Sequence, residues 1–156
     1  MLTPHTPAPD FTSPNQHGDP VHLADFLGSR NVVLYFYPKD DTPGCTIEAN
    51  QFTALAAEFA ALDTVVIGVS RDSCASHRAF MDKYGLRLDL LADVDGELCR
   101  LYEVWGEKEK NGVKSMGIVR STFLIDKRGQ LASAQYGVAA DGHAAAMLER
   151  VRQLAS

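Results

Sequence analysis

Residues 32–37 constrain the fold more than any other stretch of this chain. The run VVLYFY contains only β-branched, aliphatic and aromatic side chains, and Pro38 ends it. An extended segment that is apolar on both sides is typical of a strand covered on both faces of its sheet. We therefore expect a buried central strand in a parallel or mixed sheet.

Helix and strand patterns alternate along the rest of the chain. Apolar residues three and four positions apart predict a helix over 44–62, and a second buried strand follows at 65–69. The other predicted elements are a lead-in over 1–31 with a small hairpin at 18–19, a helix over 73–84, a strand at 88–91, a short helix over 95–102, strands at 120–125 and 131–136, and a helix over 141–154. This order predicts an α/β fold, a mixed sheet with helices on both faces, as in thioredoxin-like folds.

Composition narrows the class of protein. The 156 residues are 46% apolar and 22% charged, which predicts a single globular domain over 1–156. A net charge of −5 argues against a nucleic-acid partner. No stretch approaches the roughly 18 apolar residues of a membrane span, and the N-terminus lacks the pattern of a secretory signal. Three widely spaced cysteines fit a reducing compartment, so we expect a cytoplasmic protein with no membrane association.

One cysteine stands where a helix begins. Pro43 and Gly44 start the helix that follows the central strand, so Cys45 falls in its first turn. Unpaired N–H groups and the positive end of the helix dipole favour a thiolate there, and the Thr42 hydroxyl lies within reach of the sulfur. The alternative is that Cys45 is a small residue after a turn and Thr42 only a helix cap. The stretch CTIE holds no second cysteine, so it is not a Cys-x-x-Cys motif, and no cysteine spacing suits a metal.

The string YFYPKDDTPGCTIE, at 35–48, resembles the active-site pattern of peroxiredoxins, and in particular the bacterioferritin comigratory or Q-type subgroup. Segments 68–77, 102–108 and 116–126 match the same subgroup in the same order. The resemblance implies a thiol-dependent peroxidase that reduces hydrogen peroxide and small organic hydroperoxides. It implies no metal and no organic cofactor.

The resemblance also assigns catalytic roles. Cys45 would attack the terminal peroxide oxygen and become a sulfenic acid. Thr42 would hydrogen-bond the sulfur and orient the peroxide, and Arg120 would hold a positive charge near it. Pro38 would shield the site from water. Fixed donors and a guanidinium stabilise the charge that builds on the departing oxygen.

Two supporting residues complete this expectation. Amide groups around Gly44 would donate hydrogen bonds, and Glu48, one turn after Cys45, would orient Arg120. Without the resemblance, Arg120 would be interpreted as a charge at a strand edge and Glu48 as a solvated acid in the first turn of a helix. His77 is interpreted as a helix-surface residue.

The chain departs from the subgroup at Asn50, where many members carry a resolving cysteine. A local disulfide from Cys45 to that position cannot form. An external thiol is the first alternative and Cys74 at the start of the next helix is the second. Cys99 or an intermolecular bond is a weaker third. The reductant would be thioredoxin, glutaredoxin or a low-molecular-weight thiol, and we expect a monomer.

A different class of function also fits a single reactive thiol. In a non-catalytic redox-sensing domain, oxidation of Cys45 would change a surface without turning over substrate. Thr42 and Arg120 favour the enzyme, because a sensor needs only the thiol. The missing cysteine at position 50 keeps the sensor alternative open, and multiple turnovers with a thiol reductant would exclude it.

Overall fold

The computed structural model describes residues 1–155, with the side chains of all of them except Lys110 and Ala155. Its strands are β1 (Thr12–Pro14), β2 (Pro20–His22), β3 (Asn31–Phe36), β4 (Thr64–Ser70), β5 (Asp89–Ala92), β6 (Trp105–Lys110), β7 (Val113–Ile118), β8 (Ser121–Ile125) and β9 (Leu131–Tyr136). Its helices are α1 (Pro43–Ala54), α2 (Ala56–Ala61), α3 (Cys74–Tyr84), α4 (Glu97–Leu101) and α5 (His143–Ala155), with a 3-10 turn at Leu23–Asp25. Among these helices, none combines the length and the apolar character needed to cross a membrane.

The central sheet has the strand order β5-β4-β3-β8-β9. β3 pairs with β4 in parallel and with β8 in antiparallel orientation, so the sheet is mixed. The apolar run at 32–37 supplies β3, the middle strand, as the sequence predicts. The α/β fold class with a thioredoxin-like mixed sheet is therefore confirmed.

Alternate residues of β3 point to two separate cores, because successive strand side chains face opposite sides. Tyr35 contributes to a core with Cys45 and the inner faces of α1, α3 and α5. Phe36 contributes to a second core with Cys99 and Tyr102, beneath α4 and the β1–β2 hairpin. Two of the three cysteines therefore lie on opposite sides of the sheet.

Two elements differ from the sequence prediction. The helix expected over 44–62 is interrupted at Leu55, whose N–H bonds to Phe52 O three residues back, so α1 and α2 are separate helices. The hairpin β6–β7 was not predicted, because its strands are largely exposed and lack an apolar face. Its signal was the pair Asn111 and Gly112, which both adopt positive φ in the turn, as a two-residue hairpin requires.

Candidate active site

The N-terminus of α1 holds the candidate nucleophile. Pro43 occupies the first turn, Cys45 follows two residues later, and its side chain is buried at 2% exposure. The Thr42 side chain does not cap the helix, and its hydroxyl instead donates to Lys39 O at 2.8 Å. Amide groups of the first turn are therefore left at the open end of the helix beside the sulfur. Since the one hydroxyl proton of Thr42 is used, this oxygen is placed to accept a hydrogen bond.

Arg120 joins the cysteine to a buried carboxylate. Its Nη2 donates to Cys45 Sγ at 3.4 Å and its Nη1 donates to Glu48 Oε1 at 2.6 Å. The antiparallel register pairs Phe36 with Ser121, so the start of β8 and the start of α1 lie at the same end of the sheet. The structure thus brings together three predicted site residues that the sequence separates by as many as 75 positions.

Glu48 is the most deeply buried ionisable group of this cluster. Its side chain is 0% exposed, and Oε2 has no hydrogen-bond partner among the described residues. Burial raises the pKa of Glu48 to about 7, and the Arg120 guanidinium opposes that rise. The alternative of a solvated first-turn acid is therefore wrong, and the carboxyl faces Arg120 inside the protein, as the resemblance implied.

Two further titratable side chains flank the cluster. Burial raises the pKa of Tyr35 well above its usual value, and the acidic groups of Glu48 and Cys45 raise it further. Burial also lowers the pKa of His143 to about 4, with an added effect of Arg120. Both side chains are therefore uncharged at neutral pH. Sequence reasoning missed both, and only their packing against α1 points to them.

Gly44 makes room for the arginine. A Cβ atom at this position would lie 3.1 Å from Arg120 Nη2, tighter than ordinary carbon contacts. A side chain at 44 would therefore push the guanidinium away from Cys45. This steric role is additional to the amide donor expected of Gly44.

Pro38 lies at the end of the strand beside an open groove. The groove has a volume of about 670 Å³ and is bordered by Pro38, Trp105, Met116 and Ile118. Trp105 is 41% exposed, with the Arg71 guanidinium 5.0 Å above its ring. The partly apolar groove runs along the β6–β7 hairpin and meets the loop between β3 and α1 at Pro38.

The other two thiols are placed differently. Cys74 is half-buried in the first turn of α3, and its Sγ donates to Asn15 O in the β1–β2 turn at 3.2 Å. Cys99 is 1% exposed on the opposite face of the sheet from Cys45. Asn50 is exposed on α1. Within the described part of the chain, neither Cys74 nor Cys99 contacts Cys45.

The position of His77 differs from the one expected from the sequence. It is 0% exposed and lies in a polar cluster with Tyr37 and Asp40, so it is not a helix-surface residue. The cluster lies inside because α3 packs this face against the end of β3. The spacing of His77 from Phe80, Met81 and Tyr84 (i, i+3, i+4, i+7) places it on the apolar stripe of α3, and this was the signal in the sequence. Ligand atoms of Asp40, Asp72 and His77 lie within 4.8 Å of one another, a spacing that suits a cation, but they are already engaged in hydrogen bonds.

Chemically, the arrangement around Cys45 stabilises negative charge. A thiolate there faces a guanidinium and the positive end of a helix, in a site largely screened from water. A thioredoxin-like sheet that carries such a cysteine after its central strand defines a cysteine-based redox enzyme.

Comparisons with known proteins specify the family. Residues 4–134 match the AhpC/TSA family. The chain is 44% identical to peroxiredoxin Bcp of Bacillus subtilis over 147 residues, which cover 94% of this chain and 93% of that relative. Among solved structures, the bacterioferritin comigratory protein of Xanthomonas campestris is similar with a TM-score of 0.87 and 39% identity, covering 94% and 92% of the two chains. A cysteine-to-serine mutant of PrxQ from Xylella fastidiosa gives a TM-score of 0.91 at 34% identity, with 100% and 98% coverage.

The chain therefore belongs to the AhpC/TSA family and, within it, to the Bcp or Q-type peroxiredoxins, which are thiol-dependent peroxidases.

Proposed function

We propose that Cys45 reduces hydrogen peroxide and small organic hydroperoxides through a sulfenic acid. The contact between Arg120 Nη2 and Cys45 Sγ carries this proposal, since it sets a fixed cation against the one thiol at the start of α1. The thiolate attacks the terminal oxygen, an S–O bond forms and the O–O bond breaks. Sulfur loses two electrons, and the departing oxygen takes a proton to leave as water or an alcohol.

The neighbouring groups have separate roles in this proposal. Arg120 stabilises charge as it moves from the sulfur to the departing oxygen, and Glu48 holds the guanidinium in place. The Thr42 hydroxyl accepts a hydrogen bond from the peroxide and so aligns it for attack, while first-turn amides near Gly44 donate to its oxygens. The Thr42 hydroxyl donates to Lys39 O, so its proton is not available for the bond to sulfur that the resemblance implied.

The groove beside Pro38 supports organic substrates. Pro38 limits access of water to the sulfur, and the partly apolar wall of Trp105, Met116 and Ile118 offers a surface for an alkyl group. The solved Xanthomonas relative is described with alkyl peroxide reduction activity. These two observations support small organic hydroperoxides alongside hydrogen peroxide.

An external thiol is the proposed route for resolving the sulfenic acid. Asn50 offers no sulfur, and Cys99 is separated from Cys45 by the central sheet. Cys74 remains the second candidate, although its thiol faces the β1–β2 turn and not α1. A disulfide to it would require α1 to unwind locally, because the two Cα atoms must come within about 7 Å.

The external reductant is a thiol of the thioredoxin, glutaredoxin or low-molecular-weight class. We further propose that residues 1–156 form one peroxiredoxin domain, which acts as a monomer. Three free thiols are consistent with a reducing compartment, and the cytoplasm is the proposed location.

Intact-mass spectrometry after one equivalent of hydrogen peroxide, without added thiol, tests this function. We expect the reduced protein to gain one oxygen that a sulfenic-acid reagent traps, and Cys45→Ser to gain none. Cys99→Ser is the matched control and should consume peroxide as the wild type does. A loss of two hydrogens would instead indicate an internal disulfide, and peptide mapping would then identify the partner. A wild type that leaves peroxide unconsumed would contradict the proposed function.

A further inference from the structure

The loop between β3 and α1 carries two of the proposed site residues, Pro38 and Thr42, and is held from outside the site. Asp40 lies between them and is only 7% exposed. Its side chain contacts Ser76 and His77 of α3. None of these contacts takes part in the chemistry described above.

Three side chains converge on the Asp40 carboxylate. Tyr37 Oη donates to Oδ1 at 2.6 Å, Ser76 Oγ donates to Oδ2 at 2.8 Å, and His77 Nδ1 lies 2.7 Å from Oδ2. The backbone N–H of Asp40 donates to Asp72 Oδ2 at 2.9 Å. Both the main chain and the side chain of Asp40 are thus fixed to the end of β4 and the start of α3.

His77 determines the arrangement of protons in this cluster. Its Nε2 lies 2.9 Å from Leu91 O, which only accepts, so Nε2 carries a hydrogen. Nδ1 faces a carboxylate oxygen, so a further proton is held between His77 and Asp40. The imidazole therefore bridges β5 and the loop, with Nε2 directed at Leu91 O and Nδ1 directed at Asp40 Oδ2.

A buried pair such as His77 and Asp40 fixes the geometry of its surroundings more than it stabilises the fold. Burying ionisable groups away from water has an energetic cost, and an apolar pair of similar size would be about as stable. A fully hydrogen-bonded polar network instead specifies one geometry. Here that geometry is the path of residues 38–42, including Lys39, whose carbonyl accepts the Thr42 hydroxyl.

We propose that His77 is a positioning residue of the peroxidase site, which fixes the loop 38–42 through Asp40 so that Thr42 and Pro38 stand correctly beside Cys45. This inference rests on the proposed function. His77 touches neither substrate nor sulfur and acts only through the loop.

Two substitutions at position 77 separate its two contacts. His77→Asn places an amide near the Nδ1 position and preserves the bond to Asp40, whereas His77→Gln reaches the Nε2 position and preserves only the bond to Leu91. Lys83→Met is the control, because Lys83 contacts Asp41 of the same loop but both side chains are exposed.

The experiment compares the rate at which hydrogen peroxide oxidises Cys45 with the rate at which iodoacetamide alkylates it. Peptide mass spectrometry measures both rates. Peroxide needs an aligned Thr42, whereas iodoacetamide needs only the thiolate. We expect His77→Gln to slow the peroxide reaction about 10- to 100-fold, the loss typical of a small misplacement of catalytic groups, and to change alkylation less than about threefold. His77→Asn should recover most of the loss, and Lys83→Met should match the wild type.

Equal losses in both reactions, or equal losses in both His77 variants, would make His77 a structural core residue and overturn the proposal. If these variants fail to fold, Tyr37→Phe removes one donor to Asp40 without leaving a large cavity, and it should show the same selective loss at smaller size. An unchanged ratio of the two rates in Tyr37→Phe would also overturn the proposal.

Hydrogen exchange separates this proposal from the peroxidase function itself. The Asp40 amide, bonded to Asp72, should exchange faster in His77→Gln than in the wild type, whether or not peroxide is a substrate. If the wild type does not react with peroxide but His77→Gln still speeds exchange of the Asp40 amide, only the proposed peroxidase function is rejected. If the Asp40 amide exchanges at the same rate in both proteins, the proposal that His77 fixes the loop 38–42 is rejected.

Discussion

Cys45 and Cys99 are both buried thiols in the first turn of a helix, and their surroundings are opposite in charge. Cys45 receives a hydrogen bond from the Arg120 guanidinium. Cys99 follows Asp93, whose carboxylate accepts from the N–H groups of Leu98 and Cys99 and so occupies the end of α4. Burial raises the pKa of Cys99 far above its usual range, and Asp93 raises it further.

Both cysteines are the third residue of their helix, so position on the helix does not set the charge around the sulfur. The dipole of α4 is already satisfied by a carboxylate, whereas the amide groups of α1 remain open. The sulfur of Cys45 lies beside a cation on one face of the sheet, and the sulfur of Cys99 lies beside an anion on the other. This difference supports Cys45, and not Cys99, as the proposed nucleophile. Three substitutions test this distinction, from the largest expected effect to the smallest.

Arg120→Lys keeps a positive charge but loses the two guanidinium nitrogens that contact Cys45 and Glu48 together. We expect the second-order rate of Cys45 oxidation by hydrogen peroxide to fall about 100-fold or more, as for loss of one transition-state donor. Stopped-flow kinetics measures this rate. The control is Arg100→Lys beside Cys99, which should leave it unchanged. A wild-type rate in Arg120→Lys would show that charge alone suffices.

Glu48→Gln tests the buried carboxyl through the pH dependence of stability. The folded-state pKa of about 7 exceeds the ordinary value of 4.5, so the folded protein holds a proton that the unfolded chain releases between these values. Wild-type stability should therefore fall, relative to the variant, as pH rises from about 4.5 to 7. The difference should amount to at most about 3 kcal/mol.

Urea unfolding of wild type and Glu48→Gln at pH 5 and pH 8 measures this difference. Glu58→Gln, at an exposed glutamate of α2, is the control and should show no comparable trend. A Glu48→Gln variant that loses stability relative to wild type as pH rises would reverse the sign and reject the assignment.

Asp93→Asn tests whether burial or the charge of Asp93 contributes more to the raised pKa of Cys99. Loss of the charged cap should lower the free energy of unfolding by about 1 kcal/mol, and Cys99 should still resist alkylation because burial is the larger cause. Asp95→Asn, at an exposed carboxylate that accepts from Glu97 N, should change stability less. Rapid alkylation of Cys99 in Asp93→Asn, seen by peptide mapping, would show that the charge of Asp93 outweighs burial.

Much of the fold could be predicted because its strongest signals are local. The apolar run of β3, the Ser73 cap that accepts from Ser76 N, and the left-handed Gly85 after α3 all appear where the patterns indicate. The β6–β7 hairpin escaped prediction because its strands bury little, and the signal lies in the turn at Asn111 and Gly112. The break at Leu55 has no comparable signal in the periodicity of 44–62.

The sequence by itself determined the central strand, the helix start that carries Cys45 and the family to which the chain belongs. Only the tertiary structure decided which charges meet. Arg120 is 75 positions from Cys45 and His77 is 37 positions from Asp40, and sheet pairing and helix packing bring each pair into contact. Charge interactions depend on distance and burial in space, which separation along the chain does not fix.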